Sequence, residues 1–286
     1  MKFVTFCVPG GPLQAGVITP EQRVFSLQPA GFHDLLSVIR GGWSARAAID
    51  SYLAGANPAA SIPLESAVLM APIPRPPKVI CVGLNYRDHA EEAKMEIPAT
   101  PTIFSKFSSA ITGPGAPIVL PKNSKKPDYE AELAFVIGKG GRHIPAEYWH
   151  RHVYGFMCLN DVSARDFQTA TSQWLMGKTF DTFAPTGPWL TTADEIEDPH
   201  NLDIQLAING EVLQSSNTRR LIFGIPQLVE HLSSVFTLEP GDIVSTGTPA
   251  GVGFARKPPR WLKPGDEVSV TVAGLGALTN PVVAEA

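Results

Sequence analysis

Short runs of alternating apolar and polar residues dominate the chain, and turn residues separate them. Near the N-terminus the pattern predicts two strands, Lys2–Val8 and Arg23–Leu27, because alternation with a period of two places apolar side chains on one face of a strand. Two weaker helical patterns follow at Phe32–Ile39 and Ala45–Ala54. The first part of the chain therefore predicts a small α+β unit.

A proline-rich segment follows this unit, with four prolines in six positions between Pro72 and Pro77. Proline fixes φ and disfavours helix at the preceding residue, so the segment predicts an extended connector. We therefore expect a small, variable N-terminal domain at residues 1–72, a connector at 73–77 and a larger domain at 78–286.

The larger part predicts many strands and few helices. The runs Leu202–Ile208 and Glu211–Gln214 flank Asn209-Gly210, a pair typical of a tight type I′ hairpin turn. Helices are predicted at Val162–Ala170 and at Ile225–Phe236. The fold class expected is α+β and mainly β, with a closed or rolled sheet and helices at its edges.

Composition narrows the function classes. The chain has 286 residues, a formal net charge of -4 and 44% hydrophobic residues, which argues against a disordered chain and against nucleic acid as a partner. Three widely spaced cysteines favour neither a disulfide framework nor a thiolate zinc site. No apolar run approaches the roughly 18 residues of a membrane span. We expect no membrane partner and a cytoplasmic location.

The segment Asp128–Gly138 carries the first candidate chemistry. In a strand, Glu130 and Glu132 project to the same side, where two carboxylates repel each other unless a positive charge lies between them. Mg²⁺ or Mn²⁺ would remove that conflict, since both bind carboxylate oxygens. The alternative is a solvated strand end with two exposed glutamates.

Asp161 offers a third carboxylate, at the end of the apolar strand 153–159. An aspartate that precedes the predicted helix Val162–Ala170 could simply cap its N-terminus. It could also bind a metal through its second oxygen. The sequence pattern leaves both roles open.

Further polar groups could serve a substrate. His89 and Glu92 lie three residues apart, so on a helix the carboxylate could orient the imidazole as a base, although such pairs are also common on solvated helices. Lys178 lies in a Gly- and Pro-flanked loop and could steady an anion or point to water. Arg165 and Gln168 follow Asp161 closely enough to reach what it binds.

Together these segments resemble the fumarylacetoacetate hydrolase family over about residues 78–283. The matching stretches, in chain order, are Val82–Tyr86 with His89 and Glu92, Glu130-x-Glu132, Leu159–Gln168, Gly177–Thr182, the Asn209-Gly210 turn and Gly241–Gly253. The resemblance implies a mixed β-roll or barrel, a homodimer and one Mg²⁺ or Mn²⁺ per subunit.

The same resemblance assigns roles by position. It implies Glu130, Glu132 and Asp161 as metal ligands and His89 with Glu92 as a water-activating dyad on a mobile lid. It also implies that Lys178 and Gln168 line an oxyanion site, and that Arg165 and Thr248 contact the substrate.

The expected activity is metal-dependent hydrolysis of a C–C bond in a 1,3-diketo or acylpyruvate-type keto acid, through a metal-stabilised enolate. An oxaloacetate-type decarboxylase and a 2-hydroxyhepta-2,4-diene-1,7-dioate-type isomerase are alternatives on the same fold. A catalytically silent binding protein is the non-enzyme alternative, and it predicts loss of the acids and the dyad.

Overall fold

The computed structural model describes residues 1–286 and contains nineteen strands and five α-helices. The strands are β1 (Lys2–Cys7), β2 (Gln14–Ile18), β3 (Arg23–Ser26), β4 (Ile62–Pro63), β5 (Val68–Met70), β6 (Val79–Gly83), β7 (Thr102–Lys106), β8 (Ile111–Thr112), β9 (Ile118–Leu120), β10 (Pro127–Asp128), β11 (Ala131–Ile137), β12 (Val153–Asn160), β13 (Ser163–Ala164), β14 (Ala184–Thr192), β15 (Asp203–Ile208), β16 (Glu211–Asn217), β17 (Ile243–Ser245), β18 (Glu267–Val272) and β19 (Gly276–Ala284). The helices are α1 (Leu35–Gly55), α2 (Arg87–Ala93), α3 (Arg165–Gln168), α4 (Leu175–Lys178) and α5 (Ile225–Val235).

Two large sheets organise the molecule. The first has twelve strands, with the path β4-β3-β2-β1-β14-β12-β11-β17-β6-β7, and β5 and β8 pair with β1 and β14 beside that path. The second has five strands in the order β16-β15-β18-β19-β9. Both paths have free ends, so the expected mainly-β α+β fold is confirmed as rolled sheets, with no closed barrel.

The N-terminal strands belong to the large sheet. Strand β1 pairs antiparallel with β14, placing Lys2 opposite Thr191 and Phe3 opposite Leu190. The two helical segments predicted before residue 55 form one helix, α1, which is kinked at Gly42, where φ is 50°. The sheet therefore runs without interruption from residues before the proline-rich connector to residues after it.

Strand β11 lies at the centre of the molecule, and all seven of its residues are buried. Leu133 and Phe135 pack into the larger core with residues of the five-stranded sheet. Ala134 and Val136 point the other way, into a core shared with α1. The segment that carries Glu132 is therefore a strand, as predicted, and both of its faces are covered by apolar neighbours.

Most of the predicted local elements are present. The hairpin β15–β16 turns at Asn209 and Gly210, which both have positive φ (52° and 82°), as a type I′ turn requires. Helix α5 matches the prediction within one residue at its C-terminal end. No helix in the structure is long and apolar enough to cross a membrane.

The predicted helix Val162–Ala170 is wrong over its first part. Residues Ser163–Ala164 form β13, which pairs with β10, and the helix is only the single turn α3. The Arg165 N–H donates to the Lys126 carbonyl at 2.9 Å, so pairing with a distant segment satisfies the backbone that a helix would have used.

Candidate metal centre and active site

The structure brings the three predicted carboxylates together. Glu130 precedes β11, Glu132 lies within it, and Asp161 follows β12, which pairs antiparallel with β11 so that Ala131 lies opposite Asn160. Candidate ligand oxygens of the three residues all lie within 4.8 Å of one another, and all three side chains are buried. The solvated-strand-end alternative therefore does not describe Glu130 and Glu132.

Asp161 does not cap a helix. The N-cap position of α3 is Ala164, and the Asp161 carboxylate instead accepts hydrogen bonds from two buried lysines. Lys106 Nζ donates to Asp161 Oδ1 at 2.5 Å and Lys178 Nζ to Oδ2 at 2.8 Å. The capping interpretation of Asp161 is wrong because β13 separates it from the helix.

Glu130 is held ionised by two cations. Lys178 Nζ donates to its Oε2 at 2.9 Å, and Arg165 Nη2 forms an ion pair with its Oε1 at 2.6 Å. Burial alone would raise the pKa of Glu130, but the charges of Lys178 and Arg165 outweigh burial and lower that pKa to about 2.

Glu132 has the opposite electrostatic environment. Burial first, and then the negative charges of Asp161 and Glu130, raise the pKa of Glu132 well above its usual range. Its Oε2 accepts hydrogen bonds from the Ser245 hydroxyl and from the Gly247 N–H, whereas Oε1 has no hydrogen-bond partner.

This donor set fits a divalent cation. Three clustered carboxylates, one with an unpartnered oxygen and a raised pKa, are hard ligands of the kind that Mg²⁺ and Mn²⁺ bind. A cation would also remove the repulsion that otherwise favours protonation of Glu132.

Sequence reasoning missed Lys106. It ends β7, its side chain is buried, and its Nζ also donates to the Val162 carbonyl at 2.9 Å. The available signal was a lysine at the end of an otherwise β-like run, but only the tertiary fold shows that it faces Asp161.

Arg165 and Gln168 lie on α3 beside this cluster. Arg165 Nε donates to Asp128 Oδ2 at 2.9 Å and its Nη1 donates to Gln168 Oε1 at 2.9 Å. Asp128, another residue that the sequence analysis did not single out, therefore fixes the guanidinium that pairs with Glu130. Gln168 is held against the same guanidinium, with 8% of its surface exposed.

The predicted dyad lies on helix α2. His89 Nδ1 is 3.5 Å from Glu92 Oε2, and the imidazole packs edge-on against Phe254, with ring centroids 6.2 Å apart. The same Phe254 ring lies against the Arg165 guanidinium, with Arg165 Cζ 4.7 Å from the ring centroid, so the dyad lies beside the residue that pairs with Glu130. A contact of this length is compatible with a catalytic pair that tightens when substrate binds.

Helix α2 is anchored at its start by two residues that sequence reasoning did not assign. The amide of buried Asn85 donates to the carbonyls of Phe223 and Thr246 at 3.0 and 2.8 Å, and its oxygen accepts the Phe223 N–H at 2.8 Å. Asp88 accepts a hydrogen bond from the Ser216 hydroxyl at 2.5 Å. These contacts fix the start of helix α2, which carries His89.

The glycine-rich segment Thr246–Phe254 connects the parts of the site. The sequence favours a backbone-lined pocket wall here over a phosphate cradle, and in the structure its N–H groups contact three carboxylates. The bonds are Gly247 to Glu132 at 2.9 Å, Gly251 to Glu92 at 3.1 Å, and Gly253 and Phe254 to Asp128 at 2.7 and 3.0 Å. Thr248 lies between the first two contacts and is 5% exposed.

Comparison with known proteins places this arrangement in a family. The model for the C-terminal domain of fumarylacetoacetate hydrolase matches residues 78–283. The chain belongs to the fumarylacetoacetate hydrolase family. That match begins directly after the proline-rich connector and includes every candidate site residue.

Relatives within the family have different activities. The chain is 53% identical over 223 residues to a mitochondrial oxaloacetate tautomerase of Rattus norvegicus, covering 78% of this chain and 71% of that protein. It resembles the solved maleylpyruvate hydrolase of Sphingobium sp. SYK-6 in complex with manganese(II) and pyruvate, with 32% identity, a TM-score of 0.84 and 100% of both chains covered. It also resembles a 2-hydroxyhepta-2,4-diene-1,7-dioate isomerase of Mycobacterium marinum, with 35% identity and a TM-score of 0.77. That match covers 100% of this chain and 99% of the isomerase chain. Enzymatic function is therefore supported at the level of the family.

Proposed function

We propose that this protein interconverts the keto and enol forms of a short β-keto dicarboxylate of the oxaloacetate class at a divalent metal centre. The observation that carries the proposal is the buried cluster of Glu130, Glu132 and Asp161 bridged by Lys178. The 53% sequence identity to an oxaloacetate tautomerase also supports the proposal. The proposal revises the sequence-based expectation, which ranked C–C hydrolysis first.

The acids would hold Mg²⁺ or Mn²⁺, and the bound cation would polarise the keto group and stabilise the charge of the enolate. Lys178 and Arg165 keep Glu130 ionised, so this ligand is ready at neutral pH. Lys178 Nζ, 2% exposed and bridging two of the acids, also places a positive charge beside the developing enolate.

His89 is the proposed proton carrier. Its Nδ1 lies 3.5 Å from Glu92 Oε2, and the other ring nitrogen, Nε2, would act as the base. It removes a proton from the carbon between the two carbonyl groups and returns a proton to the enolate oxygen, which leaves the protein unchanged after each cycle. Phe254 packs edge-on against the imidazole ring, with the ring centroids 6.2 Å apart.

The test follows decay of the enol absorbance of oxaloacetate, with Mg²⁺, Mn²⁺ or EDTA. Free metal ions also catalyse enolisation, so every rate is compared with the same metal without protein. We expect metal-dependent acceleration that falls about 10²-fold or more in His89→Ala. Metal affinity measured by calorimetry should be nearly unchanged in that variant. His33→Ala, at an exposed histidine, is the matched control. Full activity in His89→Ala would refute the assigned base.

Hydrolysis of an acylpyruvate is the second candidate. It is favoured by the intact pair of His89 and Glu92, which an enzyme that activates water requires, and by the similar maleylpyruvate hydrolase structure. Incubation with acetylpyruvate or fumarylpyruvate should then release pyruvate and a carboxylic acid. Release of CO₂ from oxaloacetate would instead support the decarboxylase alternative.

We also infer one Mg²⁺ or Mn²⁺ per subunit and a homodimer. Calorimetric titration gives the metal stoichiometry, and light scattering of the protein in solution gives its mass. The cytoplasmic location stays a prediction, and the names of the relatives in rat, cattle and human place those proteins in mitochondria.

A further inference from the structure

We propose that Gln214 is a positioning residue that fixes the direction of the Thr248 hydroxyl, so that Thr248 serves as a hydrogen-bond donor to the carboxylate of the keto acid. This inference rests on the proposed keto-acid substrate. It adds a residue to which neither the sequence analysis nor the family resemblance gives a role.

Gln214 lies on β16 and its side chain is fully buried. Its Oε1 accepts the Ala131 N–H at 2.8 Å. Its Nε2 donates to the Pro249 carbonyl at 2.9 Å and to Thr248 Oγ1 at 2.8 Å. One amide therefore joins the backbone between Glu130 and Glu132 to the loop that carries Thr248.

The two backbone partners determine the orientation of the Gln214 side-chain amide, that is, the positions of its oxygen and its nitrogen. A backbone N–H can only donate and a backbone carbonyl can only accept, so the oxygen of Gln214 must face Ala131 and the nitrogen must face Pro249. The second hydrogen on that nitrogen then points to Thr248 Oγ1. Thr248 is consequently an acceptor towards Gln214.

The hydroxyl hydrogen of Thr248 is left without a partner in the protein, because the only hydrogen bond of that side chain is the one it accepts from Gln214. A hydroxyl has one hydrogen to donate, so Thr248 can donate to a ligand. The neighbouring Gly247 N–H binds Glu132, which places Thr248 at the metal end of the site. An α-keto acid held there presents its carboxylate, an acceptor without a hydrogen of its own.

Gln214→Glu is the most selective test. The introduced carboxyl group can still accept from the Ala131 N–H, so the strand carrying Glu130 and Glu132 keeps its contact. Its other oxygen replaces the NH₂ group, no longer donates two hydrogen bonds, and attracts the Thr248 hydrogen away from the ligand. Gln205→Glu, at an exposed glutamine on the adjacent strand, controls for the added charge.

The readout is the dissociation constant of pyruvate, measured by calorimetry at saturating Mg²⁺ or Mn²⁺. We expect Gln214→Glu to weaken pyruvate binding about tenfold to a hundredfold, the range for losing a hydrogen bond to a charged group. The metal dissociation constant should stay within about twofold. With oxaloacetate, KM should rise while kcat changes little, because the carboxylate is bound equally in the ground and transition states.

A double-mutant cycle separates positioning from general damage. Thr248→Val should weaken pyruvate binding to a similar extent, and adding Gln214→Glu to it should have almost no further effect. Thr248→Ser, which keeps the hydroxyl, should retain most of the binding. If Gln214→Glu does not fold, Gln214→Met is used in the same cycle. We expect Gln214→Met to weaken pyruvate binding by a smaller factor, and only when the Thr248 hydroxyl is present.

The inference would be overturned if Gln214→Glu reduced pyruvate affinity by the same factor in the presence and in the absence of the Thr248 hydroxyl. Unchanged pyruvate binding in Gln214→Glu would also overturn it. Failure of the wild-type protein to bind pyruvate would overturn it too. Because binding is measured without turnover, absence of oxaloacetate tautomerisation would refute the proposed function and leave this inference standing if the cycle behaves as expected.

Discussion

Replacing Lys178 by methionine removes the ammonium group that bridges Glu130 and Asp161 while keeping a side chain of similar length. The Nζ contacts are 2.9 and 2.8 Å, and the side chain is 2% exposed. In the metal-free protein this change leaves clustered carboxylates with less positive charge, in a place where water cannot compensate. We therefore expect the metal-free variant to unfold at a lower temperature than the metal-free wild type.

The magnitude follows from the geometry. At an effective dielectric constant of about 20, each contact is worth roughly 6 kcal/mol of Coulomb attraction before desolvation is subtracted. Removing one partner of a buried ion pair typically costs about 3–5 kcal/mol in free energy of unfolding. In a protein of this size that corresponds to a melting temperature lower by roughly 10 °C.

Bound metal should recover part of this loss, since a dication supplies positive charge to the same acids. Thermal unfolding is measured in EDTA and in saturating Mg²⁺ or Mn²⁺, for the wild type, Lys178→Met and the control Lys139→Met, which changes an exposed lysine with no ion pair. The stabilisation produced by metal should be larger in Lys178→Met than in the wild type. Activity should stay about 10²-fold low even with metal, because the positive charge beside the enolate is missing.

Two results would refute this reasoning. An unchanged melting temperature in EDTA would mean that Lys178 does not compensate the buried acids. If Lys178→Met lowered the melting temperature equally with and without metal, the cation and Lys178 would not act on the same carboxylates.

Three further predictions concern the same site. Because the pKa of Glu132 is raised, the metal-free protein should lose stability as pH rises from the usual glutamate range through that pKa. Metal binding within the same pH range should release a proton, which calorimetry in two buffers of different ionisation enthalpy measures. Gly251→Ala should destabilise the protein by about 1–3 kcal/mol, since Gly251 has a φ of 101° and a Cβ there would lie 2.2 Å from the Leu213 carbonyl oxygen. The variant should also have a lower kcat, because the Gly251 N–H orients Glu92. An unaltered melting curve would contradict this prediction. Asn85→Ala should lower the free energy of unfolding by about 1–3 kcal/mol, measured by urea unfolding, because it leaves the buried Thr246 carbonyl and the partly buried Phe223 carbonyl without their hydrogen-bond donor.

The local pattern was sufficient to predict several elements of the fold. The sequence pattern identified β11 as a strand, and Asn209-Gly210 identified the hairpin, because both depend on residues close in sequence. The spacing of Glu130 and Glu132 likewise predicted two carboxylates on one side of a strand. Their approach to Asp161 was a weaker prediction from the residues alone, and the family resemblance strengthened it.

The sequence alone determined the strand pattern, the tight turn, helix α5 and the residue types that can bind a divalent cation, since each follows from covalent geometry and the neighbours along the chain. Only the tertiary structure decided that Asp161 faces Lys106 and Lys178 instead of capping a helix. It also decided that Gln214 reaches Thr248 from another sheet. Such contacts join residues between 17 and 55 positions apart. They depend on how strands pair and sheets pack, which no local periodicity specifies.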